Sequence, residues 1–165
     1  MIPGTTSLTL HKRDDPLPLP LALGIGAQLL VADDDADTRS MIVCALMDAG
    51  YDVYEASTGR GLLRALSALT PTVLPPFGIA LVLSDIRMPG ISGLEATAAL
   101  RASGCATPVI LMTAFPEPAV TAEASHFGAL LLEKPFRTRQ LLDLVHWTLL
   151  GRDPSAPRRA ATVRS

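Results

Sequence analysis

Two hydrophobic rhythms alternate along the chain. Short continuous apolar runs are each followed by a stretch in which apolar residues recur every three or four positions. The first rhythm predicts buried strands and the second amphipathic helices. Gln28–Ala32 (QLLVA) is the first run, and it stops at Asp33. Ile42, Val43, Leu46 and Met47 then mark a helix over 36–49, closed by Gly50. Residues 51–56 predict a second strand, and Leu62, Leu63, Leu66 and Leu69 a second helix. Residues 79–84 (IALVLS) are apolar on both faces, as a central parallel strand must be. Ser92 is a natural N-cap for a helix through Arg101, ended by Gly104. A fourth strand at 109–112 precedes a helix at 119–127 that Gly128 stops. A fifth strand at 130–132 precedes a last helix capped by Thr138, in which Leu141, Leu142, Val145 and Leu149 share a face. Strand and helix in regular alternation imply an α/β fold: (βα)5, doubly wound, with a five-stranded parallel sheet and helices on both faces.

Composition refines the boundaries. Of 14 prolines, four fall in residues 1–20, three in 71–76 and none between 21 and 70. Residues 1–26 therefore read as a flexible, extended proline-rich arm, 27–150 as the folded domain, and 151–165 as a basic, disordered tail. The segment 70–78 reads as a surface insertion. Cys44 and Cys105 have no metal-ligand spacing and predict two buried, reduced thiols in a cytoplasmic protein. No apolar run reaches the ~18 residues of a spanning helix, and the prolines after His11 break any signal-peptide core. The formal net charge is −2, without the basic excess of a nucleic-acid binder. The average conceals a gradient, because residues 27–150 hold 13 acids against 8 basic residues.

In doubly wound sheets, ligands sit at the carboxyl ends of the strands. The first strand ends in Asp33-Asp34-Asp35, the third in Asp85, the fourth in Thr113-Ala114 and the fifth in Lys134. Carboxylates, among them Asp33, Asp34 and Asp85, are thus expected at one edge with a hydroxyl and an ammonium. Clustered carboxylates stay ionised only beside a countercharge, and a hard cation such as Mg²⁺ suits oxygen donors and a phosphate. Lys134 stands out: the chain has two lysines against 12 arginines, and the other is Lys12 in the arm.

These residues carry a resemblance. Val-Ala-Asp-Asp-Asp, then Leu-Ser-Asp85-Ile-Arg-Met-Pro-Gly-Ile-Ser-Gly, then Met-Thr113-Ala114, then Glu-Lys134-Pro-Phe together resemble the receiver domain of two-component response regulators, over residues 27–150. The resemblance implies a flavodoxin-like (βα)5 fold and phosphorylation on an aspartate by a histidine kinase or histidine phosphotransfer protein. Carried over residue by residue, it makes Asp85 the phosphoacceptor. Asp33, Asp34 and Asp85 would hold Mg²⁺ with the Arg87 backbone carbonyl. Thr113, Ala114 and Lys134 would contact the phosphoryl group. Asp35 reads first as the cap of the first helix and second as a metal contact. The expected output is binding of a downstream protein partner by a stand-alone receiver, with a phosphorylation-dependent homodimer as one form. Neither direct DNA binding nor membrane association is expected, since 15 tail residues cannot fold into a DNA-binding module. Nor is any enzymatic activity expected beyond self-catalysed phosphotransfer and autodephosphorylation.

Leu131 departs from the family pattern, standing where a switch aromatic is common, and 128–134 is one residue short. That leaves an alternative, a receiver-like scaffold or adaptor indifferent to phosphate. A metal-dependent phosphatase would want an acid two residues after the nucleophile, where this chain has Arg87. A flavin site would want a phosphate-cradling loop where three aspartates stand. His11, His126, His146 and Trp147 read as packing or surface residues.

Overall fold

The structure is a computed structural model that describes residues 9–11, 26–69 and 78–151. Six strands form one sheet in the order β1-β3-β2-β4-β5-β6. They are β1 (Thr9–His11), β2 (Gln28–Ala32), β3 (Asp52–Ala56), β4 (Ile79–Asp85), β5 (Val109–Thr113) and β6 (Leu130–Glu133). The helices are α1 (Ala36–Asp48), α2 (Gly59–Leu69), α3 (Gly93–Ala102), α4 (Pro118–His126) and α5 (Thr138–Leu149). The five strands from β2 onward pair in parallel, as expected. The added strand β1 lies in the arm and pairs antiparallel with the outer edge of β3, Thr9 opposite Glu55 and Leu10 opposite Tyr54. The 70–77 part of the proline-rich insertion and the basic tail from 152 onward lie outside the described residues.

Alternation along each strand sends successive side chains to opposite faces. Leu29, Val31, Leu81, Leu83, Ile110 and Met112 meet Ile42 and Leu46 of α1 and Leu141 and Val145 of α5. Leu30, Ala32, Val82 and Leu111 meet Leu62 and Leu66 of α2, Leu94 and Leu100 of α3 and Ala124 of α4. Both faces of the central strands are therefore buried, which is why they read as unbroken apolar runs. Leu131 is half-buried against the second of these clusters.

Caps follow the local chemistry. Asp35 caps α1, its carboxylate accepting the Thr38 N–H at 2.7 Å. Ser92 and Glu95 exchange hydrogen bonds in a capping box at the start of α3. Thr138 differs from expectation: it is the first helical residue, and Arg137 takes the cap position with its N–H donated to Gln140 Oε1 at 2.8 Å. The thiols differ too. Cys44 lies on the outward side of α1 and is exposed, while Cys105 is half-buried. No helix among the described residues is long and apolar enough to cross a membrane.

Candidate functional site

Chain order makes the site. β3 lies on one side of β2 and β4 on the other, so the winding reverses between β2 and β4, where a crevice opens at the carboxyl ends. Ala32 is paired with Ser84, so the next residues, Asp33 and Asp85, emerge side by side across that crevice. On β5, Met112 is opposite Asp85 and Thr113 follows. On β6, Glu133 is opposite Thr113 and Lys134 follows. Four residues distant in sequence reach one edge through register alone.

Lys134 bridges the two acids. Its Nζ is 2.8 Å from Asp33 Oδ2 and 2.5 Å from Asp85 Oδ1. Both carboxylates are buried, Asp33 at 1% and Asp85 at 7% exposure. Burial pushes the Asp85 pKa up; hydrogen bonding and charge from Lys134 oppose that, Asp33 adds to it, and the Arg87 backbone N–H opposes it. Burial alone would lower the Lys134 pKa, but its bonds to Asp33 and Asp85 reverse this and hold it above the usual lysine value. The lysine is thus a fixed cation, and the pair of acids shares it.

Of the three expected acids, Asp33 and Asp85 meet at Lys134. Asp34 is exposed, because residues leaving a strand alternate in direction and Asp33 has taken the inward one. Among the described residues, no group of three or more His, Cys, Asp or Glu side chains stands so as to hold a metal ion. Asp35 is occupied as a cap, and hydrogen bonding from the Thr38 side chain, with the Thr38 N–H beside it, holds its carboxyl below the ordinary pKa. The donor set still suits a hard cation. Two buried carboxylates already converge on one cationic centre, and Mg²⁺ is typically bound through only one or two carboxylates with water and phosphate completing the shell.

Thr113 is buried, with Oγ1 accepting the Phe115 N–H at 3.1 Å and its carbonyl accepting the Lys134 N–H at 2.7 Å. The second contact ties the lysine's backbone to β5. Ala114 is exposed beside it, and Arg87 is exposed with its guanidinium 4.9 Å from the centre of the Phe115 ring. A cleft of about 360 Å³ opens next to Lys134, lined by Thr38, Met41, Ala114, Pro135 and Phe136.

Three contributors escaped the sequence reading. Arg39 of α1 donates from Nη1 to the Asp33 carbonyl at 2.7 Å and from Nε to Glu55 Oε2 at 3.3 Å. Gly93, the first residue of α3, lies so near the end of β4 that a Cβ there would stand 2.3 Å from the Asp85 carbonyl oxygen. The buried Ser84 hydroxyl donates to that same oxygen at 3.0 Å. Only the glycine left a sequence signal, since a helix that opens on glycine implies a close neighbour.

Residues 29–146 match the family model of the response regulator receiver domain. The chain is 35% identical over 115 residues to the regulatory protein AtoC of Escherichia coli and 32% identical over 133 residues to the transcriptional regulatory protein FixJ of Bradyrhizobium diazoefficiens. These alignments cover 69% and 80% of this chain but 23% and 61% of those regulators. Among solved structures, the chemotaxis protein CheY4 of Vibrio cholerae superposes with a TM-score of 0.64 at 30% identity, covering 73% of this chain and 96% of that one. The receiver domain of the putative response regulator NarL from Mycobacterium tuberculosis does so at 0.67 and 29%, covering 77% and 98%.

Proposed function

The chain belongs to the response regulator receiver family of two-component systems, and on that premise we propose that Asp85 is its phosphoacceptor. Phosphorylation and Mg²⁺ binding are general features of that family, and its receivers interact with histidine kinases and downstream effectors. The observation that carries the assignment to Asp85 is its placement: a buried carboxylate at the switch point, sharing one cation with Asp33.

The chemistry follows from the residues. An Asp85 carboxylate oxygen attacks the phosphorus of a phosphohistidine or small acyl phosphate. The bond from phosphorus to the donor's nitrogen or oxygen breaks, and the donor leaves with the electron pair. An aspartyl phosphate remains. Such a transition state is loose, so positioning and charge neutralisation supply most of the catalysis. Lys134 neutralises phosphoryl oxygens, and the Thr113 hydroxyl and Ala114 N–H are the hydrogen-bond donors on the β5 side. Mg²⁺, when bound, would supply further charge neutralisation, held by Asp33, Asp85 and the Arg87 carbonyl with Asp34 on the exposed side.

The new charge on Asp85 competes for Lys134, which Asp33 and β5 also hold, and so biases the β5–β6 end of the domain. The output is binding of a protein partner on that altered surface, in the cytoplasm, with no enzymatic activity beyond self-catalysed phosphotransfer and its hydrolytic reversal. The chain spans under a quarter to about three fifths of the regulators it matches, so the transcriptional regulation for which FixJ is named is not carried over. Intact mass after mixing the chain with Mg²⁺ and acetyl phosphate tests the assignment. One phosphate adduct is expected on the wild type and none on Asp85→Asn. No adduct on the wild type, or an equal adduct on the variant, overturns it.

A further inference from the structure

Asp33 is held on every polar atom. Its N–H donates to the Ala56 carbonyl at 3.2 Å, and its carbonyl accepts Arg39 Nη1 at 2.7 Å. Its Oδ1 accepts the Asp35 N–H at 2.9 Å, and its Oδ2 accepts Lys134 at 2.8 Å. Both backbone anchors lead to β3: Ala56 ends that strand, and Arg39 is paired with Glu55 one residue earlier. The pair is shielded, with the two side chains only 16% and 24% exposed. On the far edge of β3, Thr9 of β1 sits opposite Glu55. A continuous series of contacts therefore runs from the N-terminal strand through Glu55, Arg39 and Asp33 to Lys134 and Asp85.

We propose that Arg39 is the positioning residue of the acidic site and that strand β1 acts on the site through it. The proposal rests on reading Asp33 and Asp85 as the working pair. Arginine presents donors in fixed directions on one rigid plane, so a carboxylate that fixes the guanidinium at Nε also fixes what Nη1 holds. Glu55 thus aims the donor at the Asp33 carbonyl, and the carbonyl sets where the Asp33 carboxylate leaves β2. A lysine at 39 has no rigid plane of donors, so a bond to Glu55 would not aim a second donor at the Asp33 carbonyl. With β1 paired, β3 is an interior strand; without it, β3 becomes an edge strand whose end opens more readily. The N-terminal segment then sets how firmly Asp33 is placed, which makes it a handle on metal affinity outside the site.

The test uses the full labelled chain and Mg²⁺ alone, with the Asp33 carbonyl ¹³C resonance and the Mg²⁺ dissociation constant as readouts. Arg39→Met is expected to shift that resonance without metal and to weaken Mg²⁺ binding on the order of tenfold, as loss of outer supports of ligands does. Arg39→Lys fails to restore either. Leu10→Pro, which breaks the β1 pairing opposite Tyr54, weakens Mg²⁺ in the same direction, and adds nothing in the Arg39→Met background. Should Arg39→Met not fold, Glu55→Gln keeps the shape, loosens the guanidinium and gives the same resonance shift at smaller amplitude. An unmoved Asp33 carbonyl with unchanged Mg²⁺ affinity in the Arg39 or Glu55 variant overturns the positioning role. A Leu10→Pro chain that matches the wild type, or keeps its full effect beside Arg39→Met, overturns the link to β1. The carbonyl shift needs no phosphodonor, so a wild type that takes no phosphate sinks the proposed function and leaves this result standing.

Discussion

Gly93→Ala perturbs the site directly, because one methyl group meets the backbone of Asp85 itself. The added Cβ would stand 2.3 Å from the Asp85 carbonyl oxygen, 3.1 Å from its carbonyl carbon and 3.0 Å from Ser84 Oγ. Ordinary contact begins near 3.4 Å, so about 1 Å of movement is required. The Ser84 hydroxyl can rotate away, whereas the carbonyl cannot. Asp85 is registered against Met112 on β5, and the Gly93 N–H is bonded to the Ile86 carbonyl at 2.9 Å, so the clash pries α3 from the end of β4. Overpacking of this kind costs about 1–3 kcal/mol, and alanine's better helix propensity returns at most about 1 kcal/mol at a helix terminus. A net loss of about 1–2 kcal/mol is expected in thermal or denaturant unfolding. The functional loss should be larger, since a displacement of about 1 Å at a reacting group costs on the order of 100-fold in rate. The initial rate of phosphate adduct formation measures it. Gly104→Ala is the control: its φ is +79° with nothing within 4 Å of the new Cβ, so it strains the backbone far from the clash. It should lower stability while leaving the adduct rate alone. A Gly93→Ala chain as stable and as quickly phosphorylated as the wild type refutes the close-approach reasoning, and so does equal slowing in Gly104→Ala.

Lys134→Ala strips the shared cation from two buried carboxylates. The chain should unfold at lower temperature without metal, gain more stability from added Mg²⁺ than the wild type does, and lose phosphate-dependent partner binding; melting curves with and without Mg²⁺ check the first two, and full phosphate-dependent binding would dismiss the role given to the ammonium. Asp85→Asn should change the pH dependence of stability. A carboxyl whose folded pKa is raised favours folding below its ordinary value of 3.8, and that contribution disappears as pH rises through the folded pKa. The neutral variant should therefore gain on the wild type on going from pH 3 to pH 7 in urea unfolding, and a constant difference across that range would contradict the direction of the shift.

The five parallel strands and their helices were legible because every central strand is buried on both sides, so the apolar runs ended where the sheet ended. Leu81, Val82 and Leu83 are fully buried on alternating faces, and no other fold class demands that pattern beside helical spacing. The convergence of Asp33, Asp85, Thr113 and Lys134 was legible for the same reason: parallel strands present their carboxyl ends together, and each of these residues closes or follows an apolar run. Strand β1 was not, because a short pairing between backbones leaves no periodicity in an arm of mixed composition. The environment of Cys44 was missed because a free cysteine is usually buried, whereas its place on α1 put it outside the apolar face.

The residues that set the angle of the acids were the least legible, and the reason is physical. An aspartate at a strand end declares its chemistry by type, but Arg39 acts through the direction of two N–H bonds, and direction exists only after α1 has packed on the sheet. Gly93 acts through the absence of an atom, and its meaning depends on a carbonyl eight residues earlier that the turn brings back. Chemistry-bearing residues can therefore be found from sequence by asking where strands end, while the residues that aim them are found only from who faces their backbone. In this chain that question leads away from the carboxylates, through Arg39 and Glu55, to the one strand that the hydrophobic pattern did not announce.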